Sequence, residues 1–144
     1  MVVDQLPFPA RLLQALAFDA AEIADPARLS VPPAAGRNFV RLRWCEAYDI
    51  WLIRWGPGSA TGRHDHGGSV GAFCVIEGAL EEWTPGSTRT FAATEHRVMP
   101  SAHIHLVRNP SPNEVATSVH VYSPPLDAMR HYDAQLHVVD ATRV

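Results

Sequence analysis

Three turn clusters, GPGSATG at 56–62, TPGSTRT at 84–90 and NPSPNE at 109–114, cut the chain beyond Arg37 into short runs rich in Val, Ile, Trp and Thr. Branched and aromatic side chains suit a pleated surface, and short runs bounded by turns leave room for strands rather than long helices. That is the rhythm of a small, mostly β sandwich or barrel. Strands are expected over Asn38–Trp44, Asp49–Trp55, Ala72–Ile76, Ala79–Trp83, His96–Met99, His103–Val107 and Ala116–Tyr122. The first third has a different texture. In PARLLQALAFDAAEIADPARLSVPPAAG, Ala and Leu recur at three and four, which reads as helix interrupted at Pro26 and again at Pro32 and Pro33. A longer helix, a short one and an extended linker are expected there, and a closing helical turn in LDAMRHYDAQL after Pro124 and Pro125. At 144 residues this is one structural domain: a helical segment, 1–36, packed outside a barrel formed by 37–144.

Charge and hydropathy narrow the partners. The net charge is −3, and no basic patch of the kind that grips phosphates stands out. No apolar run approaches the ~18 residues of a membrane span, and the opening MVVDQLPFPARLLQAL does not read as a cleavable leader. A cytoplasmic protein with a small-molecule partner is expected, binding neither nucleic acid nor membrane. Cys45 and Cys74 lie far apart with no second cysteine at metal-knuckle or redox spacing, so no disulfide framework is expected. Cys74, inside AFCVIEG, reads as a small buried hydrophobe.

The histidines carry the chemistry. Residues two apart on a strand point the same way, so His64 and His66 should project together while Asp65 points away. Neutral imidazoles converging on one point are ligands for Zn, Fe, Cu or Ni. Downstream, His103 and His105 repeat the spacing, and their own physics does not say which completes the site. Ser118, His120 and Tyr122 alternate with Val119 and Val121. Either the polar trio lines a cavity with the valines packed under the N-terminal helices, or the valines face the core and the trio faces water; three strands each presenting histidine favour the cavity. Arg37, Arg41 and Arg43 share one strand parity, with a solvent face as the alternative. Trp51, Trp55 and Trp83 read as packing residues, and His131 and His137 as exposed.

Taken together these residues resemble the cupins, and within them the bacterial type I cysteine dioxygenase-like thiol dioxygenases. The first cupin motif is matched by Gly58, His64, His66 and Gly78, and the second by Pro100, Ala102, His105 and Asn109, over a match running from about Arg37 to Pro125. The resemblance implies a single-domain cupin barrel holding mononuclear Fe(II) with His64, His66 and His105, leaving His103 as a spare. Gly71 stands where a typical cupin has a glutamate ligand and where mammalian thiol dioxygenases have a cysteine cross-linked to a tyrosine, which implies no cross-link and a free Tyr122. Ser118, His120 and Tyr122 match the family's catalytic Ser-His-Tyr set. By the same resemblance Arg37, with Arg41 in reserve, binds a substrate carboxylate, because a guanidinium holds a carboxylate by two parallel hydrogen bonds. The family's aromatic residue two before that arginine is here Ala35. The implied reaction oxidises L-cysteine or a close analogue with O2 to the sulfinate, in a monomer or homodimer. Rival readings are another thiol (3-mercaptopropionate, cysteamine or a biosynthetic cysteine derivative), a zinc site, or a non-catalytic metal-binding sensor.

Overall fold

The structure, a computed structural model, describes residues 7–144, so the first six positions of the expected helical segment lie outside the described residues. Helix α1 (Ala10–Ile23) buries Leu13, Ala17 and Ala20, a single stripe at spacings of four and three. The expected second helix shrinks to one 3-10 turn, Pro26–Arg28, whose start is capped by Asp25 accepting from the Ala27 N–H at 2.9 Å. Proline has no N–H to donate, so this turn starts well but has no following residues able to extend it. Among the described residues one α-helix, not several, therefore covers the barrel.

The strands are β1 (Arg37–Trp44), β2 (Asp49–Trp55), β3 (Arg63–His64), β4 (Val70–Glu77), β5 (Ala79–Thr84), β6 (Ser87–Ala92), β7 (His96–Met99), β8 (Leu106–Arg108), β9 (Ala116–Ser123), β10 (Ala128–Tyr132) and β11 (Val138–Arg143). Antiparallel pairing builds a five-stranded sheet, β1-β2-β9-β4-β7, and two three-stranded sheets, β11-β10-β3 and β6-β5-β8. Strand period then divides the side chains. Ile50, Leu52, Ala72, Cys74, Val119 and Val121 pack under α1. Trp55, Phe73, Val75, Ala116 and Tyr122 turn the other way and meet Leu80, Phe91, Met99 and Val107 inside the barrel. Strand β9 is buried along its whole length because both of its faces are covered. Of the two arrangements open for its alternation, the valines lie under the helix and Ser118, His120 and Tyr122 face inward. Cys74 is a buried hydrophobe in the helix-side core.

The strand expected over His103–Val107 begins only at Leu106, after an isolated bridge at His105, and two further expectations on local structure fail. The cluster at 84–90 turns only at Pro85–Gly86, with Gly86 at φ +80°, and its second half is strand β6. Proline followed by a glycine of positive φ reverses the chain in two residues and frees the rest to pair. LDAMRHYDAQL is not a helical turn: it enters β10, which pairs with β3 and β11. The reason is long-range. The Asp65 carboxylate accepts from the Arg130 N–H and Nε and from the Tyr132 hydroxyl, at 2.9, 2.8 and 2.7 Å, and these anchors tie Arg130 and Tyr132 to one side while Met129 and His131 face the cavity. No helix among the described residues is long and apolar enough to cross a membrane.

Burial alone would raise the Asp65 carboxyl, but the hydrogen bonds from Arg130, Tyr132 and Gly67 outweigh it and hold the group at about 2. A depressed carboxylate stabilises the fold above the ordinary carboxylate range and loses that contribution as pH falls through about 2. Asp65→Asn is expected to cost about 1–2 kcal/mol, the Arg130 part being reduced because that side chain is 61% exposed. Denaturant titration at neutral pH measures it, and unchanged stability would show that the tether is unimportant.

Candidate metal centre

Three imidazoles meet where the sheets close on each other. His64 ends β3, His66 follows in the loop after Asp65, and His105 immediately precedes β8, bridging to His64 through its backbone. His66 thus lies outside any strand. It still joins His64, because Asp65 anchors the intervening loop and Gly67, at φ +60°, turns the chain away beyond it. A side chain at 67 would run into the Ala128 carbonyl, its Cβ 2.5 Å from that oxygen. His105 Nε2 stands 3.2 Å from His64 Nε2 and 3.1 Å from His66 Nε2, with all three rings buried.

The outer ring nitrogens show that this grouping fits a cation. His64 Nδ1 lies 2.9 Å from the Gly62 carbonyl and His105 Nδ1 lies 2.7 Å from the Glu82 carboxylate. Both partners only accept, so both Nδ1 atoms carry the proton. The Nε2 atoms of His64 and His105 therefore face each other as bare lone pairs, which no hydrogen bond between those two satisfies and a metal ion does. Protons compete poorly for them, since burial, followed by the neighbouring imidazoles, pushes His66 and His105 well below the usual histidine range. His64 moves the same way, again chiefly through burial.

His103 is placed otherwise. Its Nε2 donates to Glu82 at 2.9 Å, on the carboxylate oxygen that also receives His105, and Arg97 pairs with the other oxygen at 2.6 Å. Glu82 was not among the residues singled out from the sequence. Its signal was there: it follows Leu80 at strand period on the buried face of β5, where a charged residue is out of pattern.

A cavity of about 530 Å³ opens in front of the imidazoles. His120 and Tyr122 line it, with Ser118 behind them. Trp55 Nε1 donates to Ser118 Oγ at 2.9 Å, and Ser118 Oγ lies 2.8 Å from His120 Nε2. An indole only donates, so His120 Nε2 is the acceptor these contacts offer the buried serine's proton; with that bond made, His120 carries its own proton on Nδ1, 3.4 Å from the Tyr122 hydroxyl. The phenolic proton is left for the cavity. Burial, with His64 and Arg37 next in effect, pushes His120 down to about 3, so it stays neutral. Burial, then Asp49, pushes Tyr122 up, so it stays a phenol.

Arg37 lines the cavity at its exposed mouth, its guanidinium 5.3 Å from the centre of the Trp55 ring. Arg41 lies outside this cavity: it pairs with Asp49 at 4.0 Å and sits over Trp51. Two expectations are corrected here. Trp51 and Trp55 are not packing residues alone, since both line the cavity and donate to Asp49 and Ser118 respectively. His131 is not simply exposed: the pairing of β10 with β3 sets its ring 6.5 Å from His64 on the cavity wall, whereas His137 is exposed.

Comparison with known proteins bears on this arrangement. The family model for cysteine dioxygenase type I matches residues 10–135. The chain belongs to the cysteine dioxygenase type I family. Human cysteine dioxygenase type 1 is 28% identical over 99 residues, covering 60% of this chain and 50% of the human protein, and the bovine protein is 27% identical over the same length. The chain thus spans about half the length of the curated relatives it matches. Among solved structures, TT1209 from Thermus thermophilus superposes with a TM-score of 0.62 at 25% identity, covering 72% of this chain and 98% of that one. The cupin domain of Schizosaccharomyces pombe Cnp3 superposes at 0.61 and 12% identity over 69% of this chain and 67% of its own. The fold is a cupin double-stranded β-helix.

Within this cysteine dioxygenase family chain, Gly71 pairs with Tyr122 across β4 and β9. A Cβ at 71 would lie 2.9 Å from Met99 Cε, 3.0 Å from Tyr122 Cδ1 and 3.0 Å from the Val121 carbonyl. The methionine end yields; the tyrosine ring and the carbonyl do not. Gly71→Ala is expected to cost about 1–3 kcal/mol by overpacking and to displace Tyr122. Thermal or denaturant unfolding tests it, and a variant as stable as the parent would contradict the close approach.

Proposed function

We propose that this chain is a mononuclear non-heme Fe(II) thiol dioxygenase that oxidises L-cysteine, or a close thiol analogue, with O2 to the sulfinate. The observation that carries the reading is the convergence of three Nε2 atoms beside a cavity that His64 and His105 line and that also presents a guanidinium and a phenol. In the balanced reaction, R–SH and O2 give R–SO2H, with both oxygen atoms on sulfur. Bound by His64, His66 and His105, ferrous iron would supply the acidity that favours a thiolate and the reactivity toward dioxygen.

The rest is the work of the chain's own residues. Arg37 takes the substrate carboxylate at the mouth by a charge-assisted pair, with its guanidinium over the Trp55 ring. Tyr122 offers its phenolic proton to the cavity, because His120 donates to its oxygen and Ser118 and Trp55 fix His120 in that tautomer. Tyr122 works as a free phenol, since Gly71 has no thiol to offer beside its ring. Trp51, Ile53 and Leu126 give one side of the cavity an apolar wall against which the bound thiol is shielded from bulk water.

Oxygen uptake by the Fe(II)-loaded protein with L-cysteine, with sulfinate quantified in the same vial, tests the reading. One O2 per sulfinate is expected. Stoichiometric iron with no uptake for any small thiol would overturn it in favour of a metal-binding sensor, and zinc retained in protein purified without added metal would favour a zinc centre. The apolar wall favours a second reading, in which the thiol is a cysteine derivative carrying an apolar group. A kcat/KM higher for N-acylated cysteine than for cysteine would select it.

A further inference from the structure

Glu82 is a buried carboxylate bonded directly to the ring of a ligand histidine, and the proposed chemistry does not yet use it. Its side chain is 1% exposed, and its polar neighbours are donors or cations: His105 Nδ1 at 2.7 Å, His103 Nε2 at 2.9 Å and Arg97 Nε at 2.6 Å. A charged carboxylate buried this deeply is costly unless each oxygen is engaged, and here both are. Glu82, His103 and His105 also lie close enough together to hold a metal themselves, a competing use of the cluster. The hydrogen-bond chemistry argues against that use. His105 has only two ring nitrogens, and its Nε2 already points at His64 and His66. A metal at Nδ1 would have to displace the proton that bonds it to Glu82.

The three ligand histidines are not equivalent. His64 donates its outer proton to a neutral carbonyl, that of Gly62, whereas His105 donates to a full negative charge. An imidazole hydrogen-bonded to a carboxylate shifts electron density toward its other nitrogen and becomes the more basic ligand, with ring orientation and tautomer set at the same time. We infer that Glu82 is a positioning residue that sends negative charge into the metal centre through His105, with His103 and Arg97 serving to hold the carboxylate in place. The inference rests on the three-histidine reading of the site, and it makes His105 the most strongly donating of the three.

The experiment uses the full chain. Metal affinity is measured for Co(II) and Zn(II) by competition against a chelator in the parent protein and in Glu82→Gln, which keeps the shape and removes the charge. The visible spectrum of the Co(II) protein and the Fe(III)/Fe(II) midpoint potential are recorded alongside. Glu82→Gln is expected to weaken metal binding by roughly 10–100-fold. It should also displace the Co(II) bands and raise the iron potential, since a less basic ligand favours the ferrous state; a merely structural role would move neither. Parent-like affinity, bands and potential in a folded Glu82→Gln would overturn the inference. If that variant does not fold, nitrogen-resolved NMR of the Zn(II)-loaded parent decides. A strongly deshielded proton on His105 Nδ1 is expected, and its absence overturns the inference. So does binding of two metal ions per chain with the second lost in His103→Gln, which would assign Glu82 to a second metal. Failure of the underlying reading looks different: metal affinity would then survive His64→Ala and His66→Ala, and Glu82 would have no three-histidine centre to act on.

Discussion

His105→Ala will lose its metal, and His103→Ala will keep it. His105 contributes a nitrogen 3.1 Å from that of His66 and 3.2 Å from that of His64, while His103 spends its Nε2 on Glu82. If one ligand of three carries roughly a third of a binding free energy on the order of 10–16 kcal/mol, its loss weakens affinity by about 10²–10⁴-fold. Loss of His103 leaves Glu82 bonded to His105 and paired with Arg97, so the effect there should stay below about tenfold. Chelator competition on the two variants measures this directly. Equal loss in both would mean that the Glu82 cluster, and not the three converging Nε2 atoms, dominates binding. Retention in His105→Ala would move the third ligand elsewhere.

Arg37→Gln will separate carboxylate-bearing thiols from cysteamine. Arg37 is the cavity's mouth arginine on β1, whereas Arg41, two residues along that face and then two again, is turned to Asp49 and Trp51 outside it. A hydrogen bond to a charged group contributes about 1.5–3 kcal/mol, so losing a two-point guanidinium–carboxylate pair should lower kcat/KM for L-cysteine by roughly 10²–10⁴-fold. Cysteamine has no carboxylate to lose and should change by only a few fold. Steady-state oxygen uptake on both thiols provides the comparison. Equal losses would remove Arg37 from carboxylate binding, and the same loss appearing in Arg41→Gln alone would transfer the role.

Particular residues show how far local pattern reaches. The alternation of Ser118, His120 and Tyr122 against Val119 and Val121 was legible because a strand alternates its faces whatever surrounds it. The helix was legible for the same kind of reason, its apolar stripe recurring at helical spacing. The pairing of His64 with His66 was legible too, though the strand argument for it was incomplete. Only His64 is in a strand, and the Asp65 anchor brings His66 alongside. The tail was misread. Local pattern in LDAMRHYDAQL permits a helical turn, and a carboxylate more than sixty positions earlier in the chain decides for a strand.

The sequence by itself determined the mostly β class, the outer helix, the alternation of a polar and an apolar face along β9 and a supply of histidines at metal-ligand spacing. Each of these rests on interactions between residues a few positions apart, whose geometry the backbone period imposes. Spacing alone left His103 and His105 undecided and the resemblance implied His105; only the tertiary structure showed how His105 joins His64 and His66, that Glu82 backs His105, that Trp55 anchors Ser118, and that His131 reaches the cavity wall. Those choices depend on the register of strands far apart in the chain. A shift of one residue between them turns a different imidazole inward, and no periodicity within a single segment specifies that register.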